Sequence, residues 1–78
     1  MSRVVHDAFC DVTNIKNGTT VTADVTDFEP EQYVAVSIKG AVQVRMQWQA
    51  NVGKYIGKAV GMEFETDGPK FHNVRFNR

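Results

Sequence analysis

Near the start of the chain His6, Asp7, Cys10 and Asp11 bring together imidazole, carboxylate and thiol, the side chains that most often hold a transition metal. Their spacing fits no zinc pattern, and His72 lies far off in sequence. Cys10 is the single cysteine, so neither an internal disulfide nor a cysteine-based zinc cluster can form within one chain. The expectation is no metal and no cofactor, with Cys10 packed as a small apolar residue.

A second arrangement is the run Gly53-Lys54-Tyr55-Ile56-Gly57-Lys58-Ala59-Val60-Gly61. It is not a phosphate loop, because Gly53 and Gly57 enclose three residues instead of four and Ala59 follows Lys58 where Ser or Thr is needed. On a strand, Tyr55 and Ala59 share a face with the glycines, leaving a shallow strip where a barrel bends or another backbone approaches.

Two charged surfaces are the remaining candidates. Asp11, Asp24 and Asp27 form an acidic strip suited to a basic partner. Tyr33, Lys39, Arg45, Gln47, Lys54, Tyr55 and Lys58 form a basic face. Cations there can neutralise phosphates, rings can stack bases and glutamine can bond base edges, which suits single-stranded nucleic acid. No Ser/His/Asp or Cys/His arrangement is legible, and the chain reads as noncatalytic.

These residues need elements to position them. Leucine is absent while valine and threonine abound, the mixture of a pleated, half-buried surface. The first residues fit a turn of helix ending near Asp7, then a strand over about 8–15. Asn17-Gly18 predicts a two-residue hairpin turn, placing Asp11 opposite Asp24, Thr13 opposite Thr22 and Val12 opposite Ala23. From Ala41 to Gln49 alternation is strict, with Val42, Val44, Met46 and Trp48 inward and Gln43, Arg45, Gln47 and Gln49 outward. A three-residue loop Lys39-Gly40-Ala41 then pairs Ile38 with Val42, Val36 with Val44 and Val34 with Met46. Turns at Glu29-Pro30-Glu31, Asn51-Val52-Gly53 and Asp67-Gly68-Pro69 separate the other strands. Of these, the one after Gly53 carries Ile56, Val60, Met62 and Phe64 on one side.

Residues 1–78 thus read as one all-β domain with a short helical start. Five or six short strands close into a small antiparallel barrel, or a strongly bent sheet, of SH3-like, Sm-like or OB-like type. No family motif is present.

A chain of 78 residues buries only about 60–65% of its unfolded surface, and association with other chains is the reinforcement left open. Net charge is zero but segregated: residues 1–31 hold six acids against Arg3 and Lys16, and residues 32–62 hold four cations and no acid. That pattern predicts a self-associating, noncatalytic interaction or assembly module, a homo-oligomer in which the acidic first hairpin meets a neighbour's basic strands. A small phage or viral protein binding a host factor fits the same pattern. RNA or single-stranded DNA binding through the basic face is the alternative. Neither a leader pattern nor a run of ~18 apolar residues is seen, so no membrane partner and a cytoplasmic location are expected.

Overall fold

The computed structural model describes the backbone of residues 2–75 and the side chains of residues 5–71. Among the described residues there are eight strands and no helix: β1 (Ser2–His6), β2 (Phe9–Asn14), β3 (Thr20–Glu29), β4 (Tyr33–Ile38), β5 (Val42–Gln49), β6 (Lys54–Ala59), β7 (Met62–Thr66) and β8 (Phe71–Arg75). Strands β2 to β7 follow one another around a closed antiparallel barrel, and β1 pairs with β8 in a separate two-stranded ribbon.

The helical start is therefore replaced by strand. Residues 2–6 bond in register to residues 71–75, from Ser2 opposite Arg75 to His6 opposite Phe71. A partner strand supplied from the other end of the chain outweighs the weak local preference, and β-branched Val4 and Val5 suit the extended form.

Strand β5 alternates as expected. Val44 and Met46 are buried while Gln43 and Arg45 face solvent. The three-residue loop before it also holds, with Ile38 opposite Val42, Val36 opposite Val44 and Val34 opposite Met46. Lys39 and Gly40 both adopt positive φ there, and the Ala41 amide donates to the Ile38 carbonyl at 3.0 Å.

The first hairpin differs from its expected register by two residues. Its loop spans four residues, 15–18, closed by the Asn14 amide on the Thr19 carbonyl and the Gly18 amide on the Asn14 carbonyl. Asp11 then faces Thr22 and Thr13 faces Thr20, in place of Asp24 and Thr22. The longer loop avoids a like-charge pair and gains two side-chain bonds: Thr22 Oγ1 donates to Asp11 Oδ1 at 3.1 Å, and the Thr13 and Thr20 hydroxyls meet at 2.8 Å. A shift of two residues keeps every side chain on its side, so Cys10, Val12 and Ala23 remain inside.

A larger correction falls on residues 54–66. The chain reverses at Val60-Gly61, both at positive φ, with Ala59 opposite Met62. A two-residue turn changes the parity of the inward positions, so Tyr55, Gly57 and Ala59 share the interior with Phe64 and Thr66, and Ile56 lies on the other side of its strand. Val60 is β-branched, 70% exposed and held at φ 44. Replacing it by asparagine creates the favoured Asn-Gly pair, and we expect Val60→Asn to raise stability by about 1 kcal/mol. The urea midpoint measures this; a lower midpoint would contradict the strain.

Valine fills the centre. Val12, Val34, Val36, Val44 and Met46 are fully buried, with Phe28, Tyr55 and Phe64 around them. Closure depends on three local devices. A bulge at Thr26 bends β3, with its hydroxyl donating to the Ala35 carbonyl at 3.1 Å. Gly57 lets β6 approach the Arg45 carbonyl and Met46. At the seam, β2 and β7 pair only through Thr13–Glu65 and Asn14–Phe64, and the Thr66 hydroxyl extends the seam by donating to the Asp11 carbonyl at 2.6 Å.

Candidate interaction surfaces

The barrel wall dissolves the two charged faces and rebuilds them differently. Tyr33 on β4 lies between Asp27 on β3 and Arg45 on β5. Its hydroxyl donates to Asp27 Oδ2 at 2.9 Å, and the Arg45 guanidinium sits 4.1 Å from its ring centre. The bond to Asp27 holds the Tyr33 phenol above its ordinary range. One member of the acidic strip thus joins two members of the basic face in a single cluster. Gln47 is the cross-strand neighbour of Tyr33.

The other cations are distributed along the wall. Lys54 pairs with Asp67 at 3.1 Å, which raises its pKa, and Lys58 lies 3.8 Å from Glu63. Lys39 stands apart in the β4–β5 turn. Tyr55 does not belong to any surface, being 3% exposed. Its ring packs against Trp48 and Phe28, with centroids 4.9 and 6.0 Å away, and its hydroxyl accepts the Glu31 amide at 2.9 Å. Asp11 is tied to Thr22, while Asp24 lies opposite Phe9 and Ser37.

Of the four residues first considered as metal ligands, Asp7, Cys10 and Asp11 border one cleft without converging on a common point. The His6 ring packs edge-on against Phe28 and its Nδ1 lies 2.8 Å from the Asp7 carbonyl, while Cys10 is in the core. Among the described residues no three His, Cys, Asp or Glu side chains converge. Burial pushes the Cys10 thiol up; a hydrogen bond with Thr66 opposes this and the charge of Asp11 adds to it. The thiol therefore stays protonated, and we expect Cys10 to resist an aromatic disulfide reagent at neutral pH until urea unfolds the chain. Rapid labelling of the native protein would show the core to be open.

Alternating strand direction sorts the loops into two ends. One end carries loops 15–19, 39–41 and 60–61, whose charged residues are Lys16 and Lys39. The opposite end carries 7–8, 30–32, 50–53 and 67–70, with Asp7, Glu31 and Asp67 against Lys70; the attached β1–β8 ribbon adds Arg3 and Arg75 and no acid, so this end is mixed in charge. Asp24, Asp27 and Glu29 lie along β3 as it descends towards that end.

At the basic end the interior is open. A cleft of about 210 Å³ enters the barrel mouth, lined by Val12, Val21, Ile38, Val42, Met62 and Phe64, with Asn14, Asn17, Thr19 and Lys39 among its polar margins. Ile15, Val60 and Met62 are exposed at the same end. Such an apolar opening rimmed by polar groups marks a binding surface more than scattered exposure does. The charge-based reading of the sequence passed over it. Its signal was an apolar residue inside each of two turns, Ile15 before Asn17-Gly18 and Val60 before Gly61, where polar residues are usual.

A second cleft, of about 370 Å³, opens beside the seam and is bordered by Asp7, Phe9, Asp11, Asp67 and Lys70. Phe9 leaves its ring 57% exposed there. Neither surface can be referred to a relative, for the chain matches no protein family, no curated protein and no solved structure.

Proposed function

We propose that the chain is a noncatalytic assembly module that associates with copies of itself. The observation supporting this reading is a pair of unlike surfaces on one small barrel: an open apolar mouth with Lys16 and Lys39 in its loops, and an exposed Phe9 with Asp7, Asp11 and Asp24 near it. Opposite charges on different patches of neighbouring copies attract in solution, and the attraction weakens as salt screens it. The two-stranded ribbon adds strand edges of the kind that proteins usually cover.

Sedimentation at several protein and salt concentrations tests the reading. The expected result is concentration-dependent association that falls between 50 mM and 500 mM salt, on the order of the change from a ~13 Å to a ~4 Å screening length. A strict monomer at high protein concentration and low salt would end the self-association claim, leaving a foreign protein, such as a host factor, as partner.

A second reading has its own support. Arg45 stacked on Tyr33, with Gln43 and Gln47 on the same wall, resembles a platform for an unpaired base. Nucleic-acid binding predicts co-purifying absorbance at 260 nm and oligonucleotide affinity that declines steeply with salt. We expect neither, because Lys54 and Lys58 are engaged by carboxylates and Tyr55 is interior.

A further inference from the structure

We infer that the exposed Phe9 ring of one copy seats in the basic barrel mouth of the next, so that copies join head to tail. The inference rests on the self-association reading and names its two contact surfaces.

The plug is defined by what Phe9 lacks. Among the described residues Phe28 meets His6, Tyr55 and Phe71, and Trp48 meets Tyr55, but Phe9 meets no ring. It stands on the outer wall of β2, opposite Asp24 and beside Asp7 and Asp11. An exposed apolar ring with Asp7, Asp11 and Asp24 near it, and Lys70 on the same cleft, suits a partner surface that joins an apolar pocket to positive charge.

The socket offers the complement on three counts. Its walls are mainly apolar and its volume is below the ~300–1,000 Å³ of sites for larger ligands, which suits a single side chain. Lys16 and Lys39 belong to the loops at its end, which hold no acid, and Glu63 at the start of β7 is paired with Lys58 at 3.8 Å. Asn14 supplies the third. It is 8% exposed and borders the cleft, yet its Nδ2 donates only to the Met62 sulfur at 3.2 Å. A thioether is a weak acceptor, so this buried amide retains donor capacity towards an incoming oxygen. Its Oδ1 already accepts the Lys16 amide at 3.0 Å, which fixes the amide group in place. A carboxylate beside Phe9 of a second copy supplies a stronger acceptor than the thioether.

Plug and socket are different patches of the same chain, so the contact is heterologous. Copies joined in this way form a ring if the rotation closes and an open filament if it does not. Complementary variants distinguish this from any symmetric pairing. Phe9→Ser removes the plug and leaves the socket. Ile15→Glu with Lys39→Glu reverses the charge at the mouth, at exposed positions that leave the core untouched.

Sedimentation velocity of wild type, each variant and their equimolar mixture reads the outcome, with circular dichroism verifying the fold. Wild type is expected to grow beyond dimers with concentration. Each variant alone is expected to associate roughly 30-fold more weakly, the scale of losing a central aromatic contact. Their mixture restores one intact contact and stops at a heterodimer. If both variants assemble as wild type does, the plug is wrong while self-association stands. If the mixture builds species larger than two, the contact is not head to tail. A wild type that stays monomeric overturns both this inference and the reading on which it rests.

Discussion

Gly57→Ala is expected to cost the barrel a large part of its stability. A methyl group at residue 57 would collide with the Arg45 carbonyl oxygen and come within 2.9 Å of Met46 Cα. Both obstacles are backbone, so no side-chain rotation relieves them. Overpacking usually costs about 1–3 kcal/mol and more where the main chain must move, against the roughly 4–12 kcal/mol available to a domain of this size. The register explains the severity. Strands β5 and β6 pair through only three residue pairs, from Gln49–Lys54 to Gln47–Ile56, and Gly57 continues β6 past the last of them. Pushing the strands apart there opens the wall over Met46, which is fully buried. The urea midpoint and near-ultraviolet circular dichroism measure the loss. A midpoint within experimental error of wild type would mean that β6 does not lie so close to β5.

The second large effect concerns Tyr55, where two substitutions separate packing from hydrogen bonding. Tyr55→Ala removes a ring held between Trp48 and Phe28 and under Gly68, whose position leaves 2.9 Å between an added methyl and Tyr55 Cε1. Truncating a buried aromatic costs about 3–5 kcal/mol. Tyr55→Phe keeps the ring but strips the Glu31 amide of its acceptor, at about 1–3 kcal/mol. Glu31 holds φ 59, unusual for a residue with a side chain, so this bond also secures a strained turn. Equilibrium unfolding of both variants gives the two numbers. The same pair of variants separates an interior role from a surface one. If Tyr55→Ala left stability unchanged and abolished oligonucleotide binding, Tyr55 would belong to the wall and the nucleic-acid reading would gain the support it now lacks.

Period-two alternation made the inward set of β2, β4 and β5 legible from the amino-acid order alone. Val12, Val34, Val36, Val44 and Met46 are the buried residues that it selects. Valine abundance and short turn-bounded runs were enough for an all-β barrel, because side-chain direction in a strand depends on nothing beyond its neighbours. The β4–β5 register was equally accessible, since only one loop length matched apolar to apolar.

What remained hidden was every property that depends on a distant strand. Four residues of loop instead of two at Asn17-Gly18 keep Asp11 from facing Asp24 across the pair. The reversal at Val60-Gly61 exchanged the inward set of β6, and with it sent Tyr55 from the surface to the core. Residues 2–6 became strand because residues 71–75 lay beside them.

Charge behaved in the same way. The order of residues showed an acidic third and a basic third, but Asp27, Tyr33 and Arg45 come from three strands and meet only when the sheet forms. The open mouth needed the same end of five strands to be placed before it existed at all. Local sequence determines which way a side chain points relative to its own strand; closure of the barrel decides which other side chains it then faces, and those encounters set both the core and the surfaces offered to a partner.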